Sequence, residues 1–359
     1  MITTQVTHSI LATEVVLPGR VEPSGLQIRQ RRLLAPGAHE VLVQIEATGV
    51  SFAEQAMRRG RYPGQPAFPF VPGYDFVGRV LAVGSGVQQD LLGQRVAAVS
   101  KTGGWATHVI VSARNLVPIS PTLDPELVET VMVNGITAWQ MLYRKARVQP
   151  GQTILVHGAN GGVGTVLSQL ALHAGIRVIG TAAPRHHGAL SSLGVEPVDY
   201  NASDLAARVR ALAPRGVDAA FDHLGLKSAR LSFSLLAPRG ALVCYGTAAA
   251  LDDTGSLIPM FLRLLAQVGL WNMLPNSHSA TFYNFWGGHL VRPTAFRRRF
   301  QQDLQQLLDL VTQGAIRPAI AARFPLSEAS AALRLAESHT VRGKVVLVPQ
   351  TDRNRRKDD

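Results

Sequence analysis

The sequence predicts an α/β chain of two domains, and three features carry that expectation. The first ~125 residues are rich in short apolar runs bounded by Gly, Ser or Gln, which read as strands joined by turns. From about Pro125 onward short apolar runs alternate with helical patterns, as a doubly wound parallel sheet covered on both faces requires. At 154–164 a glycine-rich turn joins one such run to one such helix, the context of a dinucleotide-binding unit.

In the first region EVLVQIEATGV, GRVLAVGS and GQRVAAVS are the expected strands. Pro63, Pro66, Pro69 and Pro72 lie between the first two and exclude a regular helix or a central strand there. That segment is either an ordered or a disordered loop, and its aromatics Tyr62, Phe68, Phe70 and Tyr74 favour order. A helix is expected over 126–144, a strand over 153–157 and a helix over 163–174. Further strands are expected at 177–181, 194–200, 217–222 and 241–246, with helical stretches between them. Residues 257–274 form an apolar block whose one charge is Arg263, and a basic stretch with Arg292, Arg297, Arg298 and Arg299 follows. A helix over 301–313, the terminal strand GKVVLVP and a charged, frayed tail TDRNRRKDD complete the reading.

The chain has 359 residues, 46% of them hydrophobic and 17% charged, which suits a folded protein rather than a disordered one. Its net charge of +12 is open to several readings: nucleic acid, an anionic membrane, a cofactor bearing several phosphates, or an Arg-rich proteome. The charge is scattered and no recognition motif accompanies it, so no nucleic-acid partner is expected. The single cysteine, Cys244, excludes an intrachain disulfide framework and sits in an apolar run as a buried, inert thiol. The N-terminal residues lack the basic head and apolar core of a signal peptide, and no stretch reaches the roughly 18 apolar residues of a spanning helix. A soluble, cytoplasmic protein is the expectation.

In the turn, Ala159, Asn160, Gly161, Gly162, Val163 and Gly164 let the backbone approach a pyrophosphate, and the helix opening near Val163 offers unpaired N–H groups and a positive dipole end. Ala159 stands where a strict G-x-G-x-x-G has its first glycine, which costs little at negative φ. Sites that hold a free ribose place an acid about 20 residues after the turn begins. Between Asn160 and Val195 this sequence has no acid; Thr181 closes the second strand, and Arg185, His186 and His187 follow it. A cation there suits a 2′-phosphate, so NADPH is the expected cofactor, with a solvated loop charge as the other reading of Arg185.

GVSFAEQAMRRGRYPGQPAFPFVPGYDFVGRV, NGITAWQML, HGANGGVG and FPLSEASAALRLAESHTVRGKVVLVP together resemble the medium-chain dehydrogenase/reductase superfamily, in its zinc-independent quinone oxidoreductase and enoyl reductase branch. The apolar insert with ATFYNFW is similar to a subset akin to the vesicle amine transport protein 1 homologues. The resemblance implies a GroES-like β-rich catalytic domain from 1–125 and 297–350, and a Rossmann NADPH-binding domain over 126–296. The apolar insert falls near 252–296 and the charged tail at 351–359. It also implies hydride transfer from NADPH, an active site in the cleft, and a homodimer. By the same resemblance Asn134 and Thr137 line the nicotinamide end. Gly225, Gly246 and Thr247 follow predicted strands at the ends where Rossmann ligands bind. Asp222 is read as a turn-holding residue.

The zinc-dependent branch has a cysteine near 51 and a histidine–glutamate pair near 74–75. Here stand Ser51, Tyr74 and Asp75, too few ligands for a catalytic zinc, and no metal is expected. Hydride addition to a conjugated carbonyl then needs hydrogen-bond donors in place of a Lewis acid. Tyr62, in a GRYPG context that resembles the enoyl reductase GxYP, is the first candidate, with Ser51 and Tyr74 as further donors. The branch usually has Asn at position 51, so a role inherited by Ser51 is in doubt. The expected activity is reduction of a small hydrophobic quinone or α,β-unsaturated carbonyl. The block at 257–274 reads as core and dimer contact, as a lid over a bulky substrate, or as peripheral membrane contact aided by 297–299. The rival from another class is an NADPH-binding protein with little turnover that engages a membrane or partner through 257–299.

Overall fold

The computed structural model describes residues 9–248, 257–338 and 340–349; the tail at 351–359 and the start of the insert at 252–256 lie outside them. The chain divides into two compact units, one running to Val133 and resuming at Ala319, the other Asn134–Pro318.

The first unit is built on a seven-stranded sheet. Its order is Ile320–Pro325, Lys344–Val348, Glu40–Val50, Asp75–Val83, Arg95–Val99 and Leu116–Pro118, with His108–Ser112 also paired to Glu40–Val50. All pairings are antiparallel except that of Ile320–Pro325 with Lys344–Val348. Alternation along Glu40–Val50 sends Val41, Val43 and Ile45 into one core with Phe76 and Val96, while Leu42 joins Ala12, Leu33 and Ala82 in another. The proline-rich segment is an ordered loop. Leu17 N donates to Phe70 O at 2.8 Å, Phe70 N returns a bond to Leu17 O at 3.2 Å, and Phe68 stacks on Phe70.

The second unit is an all-parallel six-stranded sheet in the order Glu196–Asp199, Arg177–Ala182, Thr153–His157, Val217–Asp222, Leu236–Cys244 and Ser279–Phe282. This is the doubly wound order, and it reverses between Thr153–His157 and Val217–Asp222, the place where such sheets bind ligands beyond their carboxyl ends. No helix among the described residues is long and apolar enough to cross a membrane.

Several elements differ from the sequence expectation. The expected helix over 126–144 is an α-helix over Pro125–Trp139 that turns π-helical over Gln140–Ala146. The helix expected at 301–313 begins at Pro293 and runs to Thr312, so the division between units falls at Pro318 rather than at 297. The cause is its inward face, Phe300, Asp303, Leu304, Leu307 and Leu308, which the preceding run of arginines obscures. The apolar block forms the helix Leu257–Met273: Leu264, Val268 and Trp271 are core, while Leu262, Leu265, Leu270 and Met273 face solvent. Strands Ile10–Val16, Gln27–Leu33, Ser279–Phe282 and Ile320–Pro325 had no sequence expectation.

Candidate active site

The glycine-rich turn lies at the carboxyl end of Thr153–His157 and opens the helix Gly162–His173, with Gly161 as its N-cap. The left-handed residue of the turn is Gly158, at φ 64°, and Ala159 keeps negative φ, so the alanine is unstrained. A Cβ at Gly164 would come within 2.2 Å of Gly158 O, and one at Gly162 within 2.4 Å of Asn134 Nδ2. Gly164 is therefore required by the backbone against it, whereas a side chain at Gly162 would have to displace the Asn134 amide, which lies against the start of the cradle helix. Gly225, at φ 128°, caps the helix Leu226–Ser234, and Gly246 and Thr247 follow Leu236–Cys244 at its carboxyl end.

Thr181, expected to touch the cofactor, is instead 1% exposed beneath the turn. Its Oγ1 accepts from Gly158 N at 3.3 Å and lies 3.3 Å from His157 Nδ1. His157 Nε2 is 2.9 Å from Ser232 Oγ, which donates to Asp222 Oδ2 at 2.8 Å. Because a carboxylate only accepts, the Ser232 proton points to Asp222. His157 then carries its proton on Nε2, leaving Nδ1 to accept from Thr181. Burial lowers the His157 pKa, opposed by the charge of Asp222. Asp222 also accepts from Leu224 N and Ser228 Oγ, in keeping with a turn-holding role. Sequence reasoning missed His157 because its partners are 24 to 75 residues away.

Arg185 and His186 sit in a short turn, Pro184–His186, just after Arg177–Ala182. Arg185 is exposed and its Nε donates to His186 Nε2 at 3.2 Å, while His186 is buried and His187 Nε2 lies 3.1 Å from Ala182 O. This bond ties the Arg185 side chain to His186. Cys244 is buried, and burial pushes its thiol up to about 12.

In the other unit, Tyr62 Oη donates to Tyr74 Oη at 2.9 Å, the rings meet edge to face, and Lys101 Nζ lies 6.0 Å from the centre of the Tyr62 ring. Tyr74 is 3% exposed and Tyr62 half-buried, so Tyr62 is the more accessible phenol of the pair. Ser51 caps the helix Phe52–Arg58: its Oγ donates to Glu54 Oε2 at 2.6 Å and its N at 2.8 Å. Glu54 Oε1 accepts from Tyr74 N at 2.7 Å, so this buried acid, absent from the sequence reading, joins the cap to the tyrosine pair. Desolvation first and Asp75 second raise the Glu54 pKa.

Asp75 Oδ2 is 3.0 Å from Lys344 Nζ, and Glu129 Oε1 is 2.5 Å from the same nitrogen, all with side chains at most 1% exposed. Burial raises the Glu129 pKa well above its ordinary value, against the pull of Lys344; burial acts to lower that of Lys344, but Asp75 and Glu129 together outweigh it and raise it. A cation is thus already in place on Asp75. Among the described residues no three His, Cys, Asp or Glu side chains form a metal-binding group.

Comparison with known proteins places these features in context. Residues 37–121 match the alcohol dehydrogenase GroES-like domain, and residues 193–347 match a family described as zinc-binding dehydrogenase. The chain is 32% identical to the human synaptic vesicle membrane protein VAT-1 homolog over 333 residues, covering 90% of this chain and 82% of that one. It is 31% identical to a quinone oxidoreductase of Pseudomonas aeruginosa, over 91% of this chain and 96% of that one. A mycobacterial protein solved as a complex with NADPH superposes at a TM-score of 0.80 and 29% identity, covering 94% of this chain and 100% of that one.

Proposed function

The chain belongs to the medium-chain dehydrogenase/reductase superfamily, among its quinone oxidoreductases and VAT-1-like proteins, and from that membership we propose that it is an NADPH-dependent reductase. Its acceptor in this reading is a quinone or an activated C=C bond of an α,β-unsaturated carbonyl, and no metal takes part. The observation that carries the reading is the pairing of a pyrophosphate cradle with a cation: Gly158, Gly162 and Gly164 open the backbone, and Arg185 follows the second strand where a ribose-binding acid would otherwise stand.

NADPH, when bound, supplies the hydride. The residues of this chain hold and orient it. Unpaired N–H groups at the start of Gly162–His173 suit its pyrophosphate, and Arg185, tied to His186, suits the 2′-phosphate. Asn134 lies beside Gly162 and Thr137 follows one helical turn later, which suits the nicotinamide end. Tyr62 is the proton donor of the proposal: its hydroxyl, which donates to Tyr74 in the free protein, turns to the substrate, and Tyr74 donates to it in return. Metal-free chemistry is favoured because Asp75 is held by Lys344 and the Ser51 hydroxyl by Glu54. A cytoplasmic homodimer is part of the same proposal.

Arg185→Glu tests the cofactor assignment. It should weaken NADPH binding about tenfold or more while leaving NADH binding little changed, since the charge reversal opposes only the 2′-phosphate. Equal loss for both dinucleotides would remove Arg185 from the clamp. A second reading, an NADPH-binding protein with little turnover that docks on a membrane or partner through 257–299, is favoured by the exposed Leu290 and Val291, 82% and 84% accessible.

A further inference from the structure

The stretch between Glu54 and Asp75 holds Tyr62 and no acid. Tyr62 lies in a closed turn, its N donating to Gln65 Oε1 and its O accepting from Gln65 N, each at 3.2 Å. Left-handed glycines flank it, Gly60 at φ 66° and Gly64 at φ 67°. Each glycine gives the place of its missing side chain to a cation from another segment of the same unit. A Cβ at Gly60 would come within 2.5 Å of Arg20 Nε, and one at Gly64 within 3.3 Å of Lys101 Nζ. This is the same ammonium that lies 6.0 Å from the centre of the Tyr62 ring. Two cations thus bracket the Tyr62 turn.

Lys101 is fixed in the backbone from which it reaches this turn. At φ 71° it occupies the left-handed region, costly for any residue with a Cβ, and such strain concentrates at functional sites. Ser100 N and Lys101 N both donate to Tyr74 O, at 3.0 and 3.1 Å, so the residue that partners Tyr62 also anchors the lysine. Acids around the helix that leads into the turn are engaged by other groups. Glu337 pairs with Arg58 and Arg59, each at 2.9 Å, Glu22 lies 3.6 Å from Arg58, and Glu54 accepts from Ser51 and from Tyr74 N. Arg20 is exposed and Lys101 half-buried, so both charges are open to a ligand.

Resting on the reductase reading above, in which Tyr62 gives the proton, we infer that Arg20 and Lys101 are specificity-determining residues that select an acceptor carrying a negative charge near its activated C=C bond. The charged group is a carboxylate on the acceptor itself or a phosphate on the carrier of an unsaturated thioester. Either one accepts charge-assisted hydrogen bonds from an ammonium and a guanidinium. A neutral quinone or ketone offers these two cations no partner.

Two matched pairs of acceptors separate charge from reactivity. 5-Oxohept-6-enoate carries its carboxylate apart from a vinyl ketone, and its methyl ester is the neutral partner. Crotonyl-CoA carries phosphates, and the N-acetylcysteamine thioester of the same acyl group has none. In at least one pair the native protein should reduce the anionic member with kcat/KM about tenfold above the neutral one, within the range that charge complementarity gives to encounter. The pair that shows the preference tells carboxylate from phosphate. Raising ionic strength from about 0.1 M to about 1 M shortens the screening length from about 10 Å to about 3 Å, so the preference should fall to about threefold or less. In the double variant Arg20→Met, Lys101→Met the ratio should fall below about twofold, whereas Lys101→Arg should retain it. Merely loosening the structure would slow both members of a pair together and leave the ratio unchanged. Equal kcat/KM within both pairs for the native protein overturns the inference, as does a preference that survives in the folded double variant. The salt series needs no variant, and a preference that salt does not diminish also overturns it. Turnover of neutral 1,4-naphthoquinone alone overturns the inference and leaves the reductase reading standing. No NADPH oxidation with any of these acceptors would instead contradict the reductase reading and this inference with it.

Discussion

At position 51 a hydroxyl expected near the chemistry serves the fold first. Its proton is held by Glu54, as the cap of a seven-residue helix. Ser51→Ala should cost about 1 kcal/mol of stability. Tyr62 differs, because its partner Tyr74 is another hydroxyl and its ring is only half-buried. Tyr62→Phe is expected to lower kcat on a good substrate by about a hundredfold with little change in unfolding midpoint, the lower end of the range for a lost proton donor. Denaturation and turnover of the two variants measure this contrast, and unchanged turnover in Tyr62→Phe would remove that residue from the mechanism. The sequence context made Tyr62 legible through GRYPG. Glu54 was not legible, because its meaning depends on Tyr74, which lies 20 residues away.

Between elements, the buried chain from Gly158 through Thr181, His157 and Ser232 to Asp222 ties three strands and a helix together under the cofactor turn. Burial favours the neutral form of His157 within it. Unfolded, this imidazole takes a proton near pH ~6.5; folded, burial keeps its pKa lower. The stability it supports is therefore complete above that value and declines as pH falls through the folded pKa. Glu54 and Glu129, raised by burial, act in the opposite sense, since their protonation on acidification favours the folded state. The useful comparison is thus with His157→Gln. Between pH 7.5 and 5.5 the native protein should lose more stability than the variant, by up to about 1.4 kcal/mol at one unit below the unfolded pKa. Identical pH slopes in urea unfolding would show that His157 does not carry this dependence. Periodicity gave the strands and helices this chain connects, yet it could not give the connection: Thr181 was expected on the ligand side and faces the interior instead.

Across the whole molecule the alternation of apolar runs foretold the parallel sheet, because strands buried on both faces must read as continuous apolar stretches. The β-rich unit was legible in outline, but Ile10–Val16 and Gln27–Leu33 were not: the latter, QIRQRRL, is almost wholly exposed and carries Arg29 and Arg31 to the buried Glu14. The extent of Pro293–Thr312 was hidden for a similar reason, since arginines cover its first turns while Asp303 is drawn inward by Arg144 and Gln140. Such long-range polar pairs leave no local pattern. The glycines of the cradle do, because each answers a local steric demand, and the cofactor assignment rests on them together with Arg185.

The central claim is that this fold oxidises NADPH to reduce an unsaturated carbonyl or a quinone. The most direct measurement follows oxidation of NADPH beside NADH against a panel of quinones and α,β-unsaturated carbonyls, with products identified. Turnover with at least one acceptor class and a preference for NADPH of about tenfold or more is the expected result. Tight NADPH binding with no turnover across the panel would contradict it and favour the docking role of 257–299.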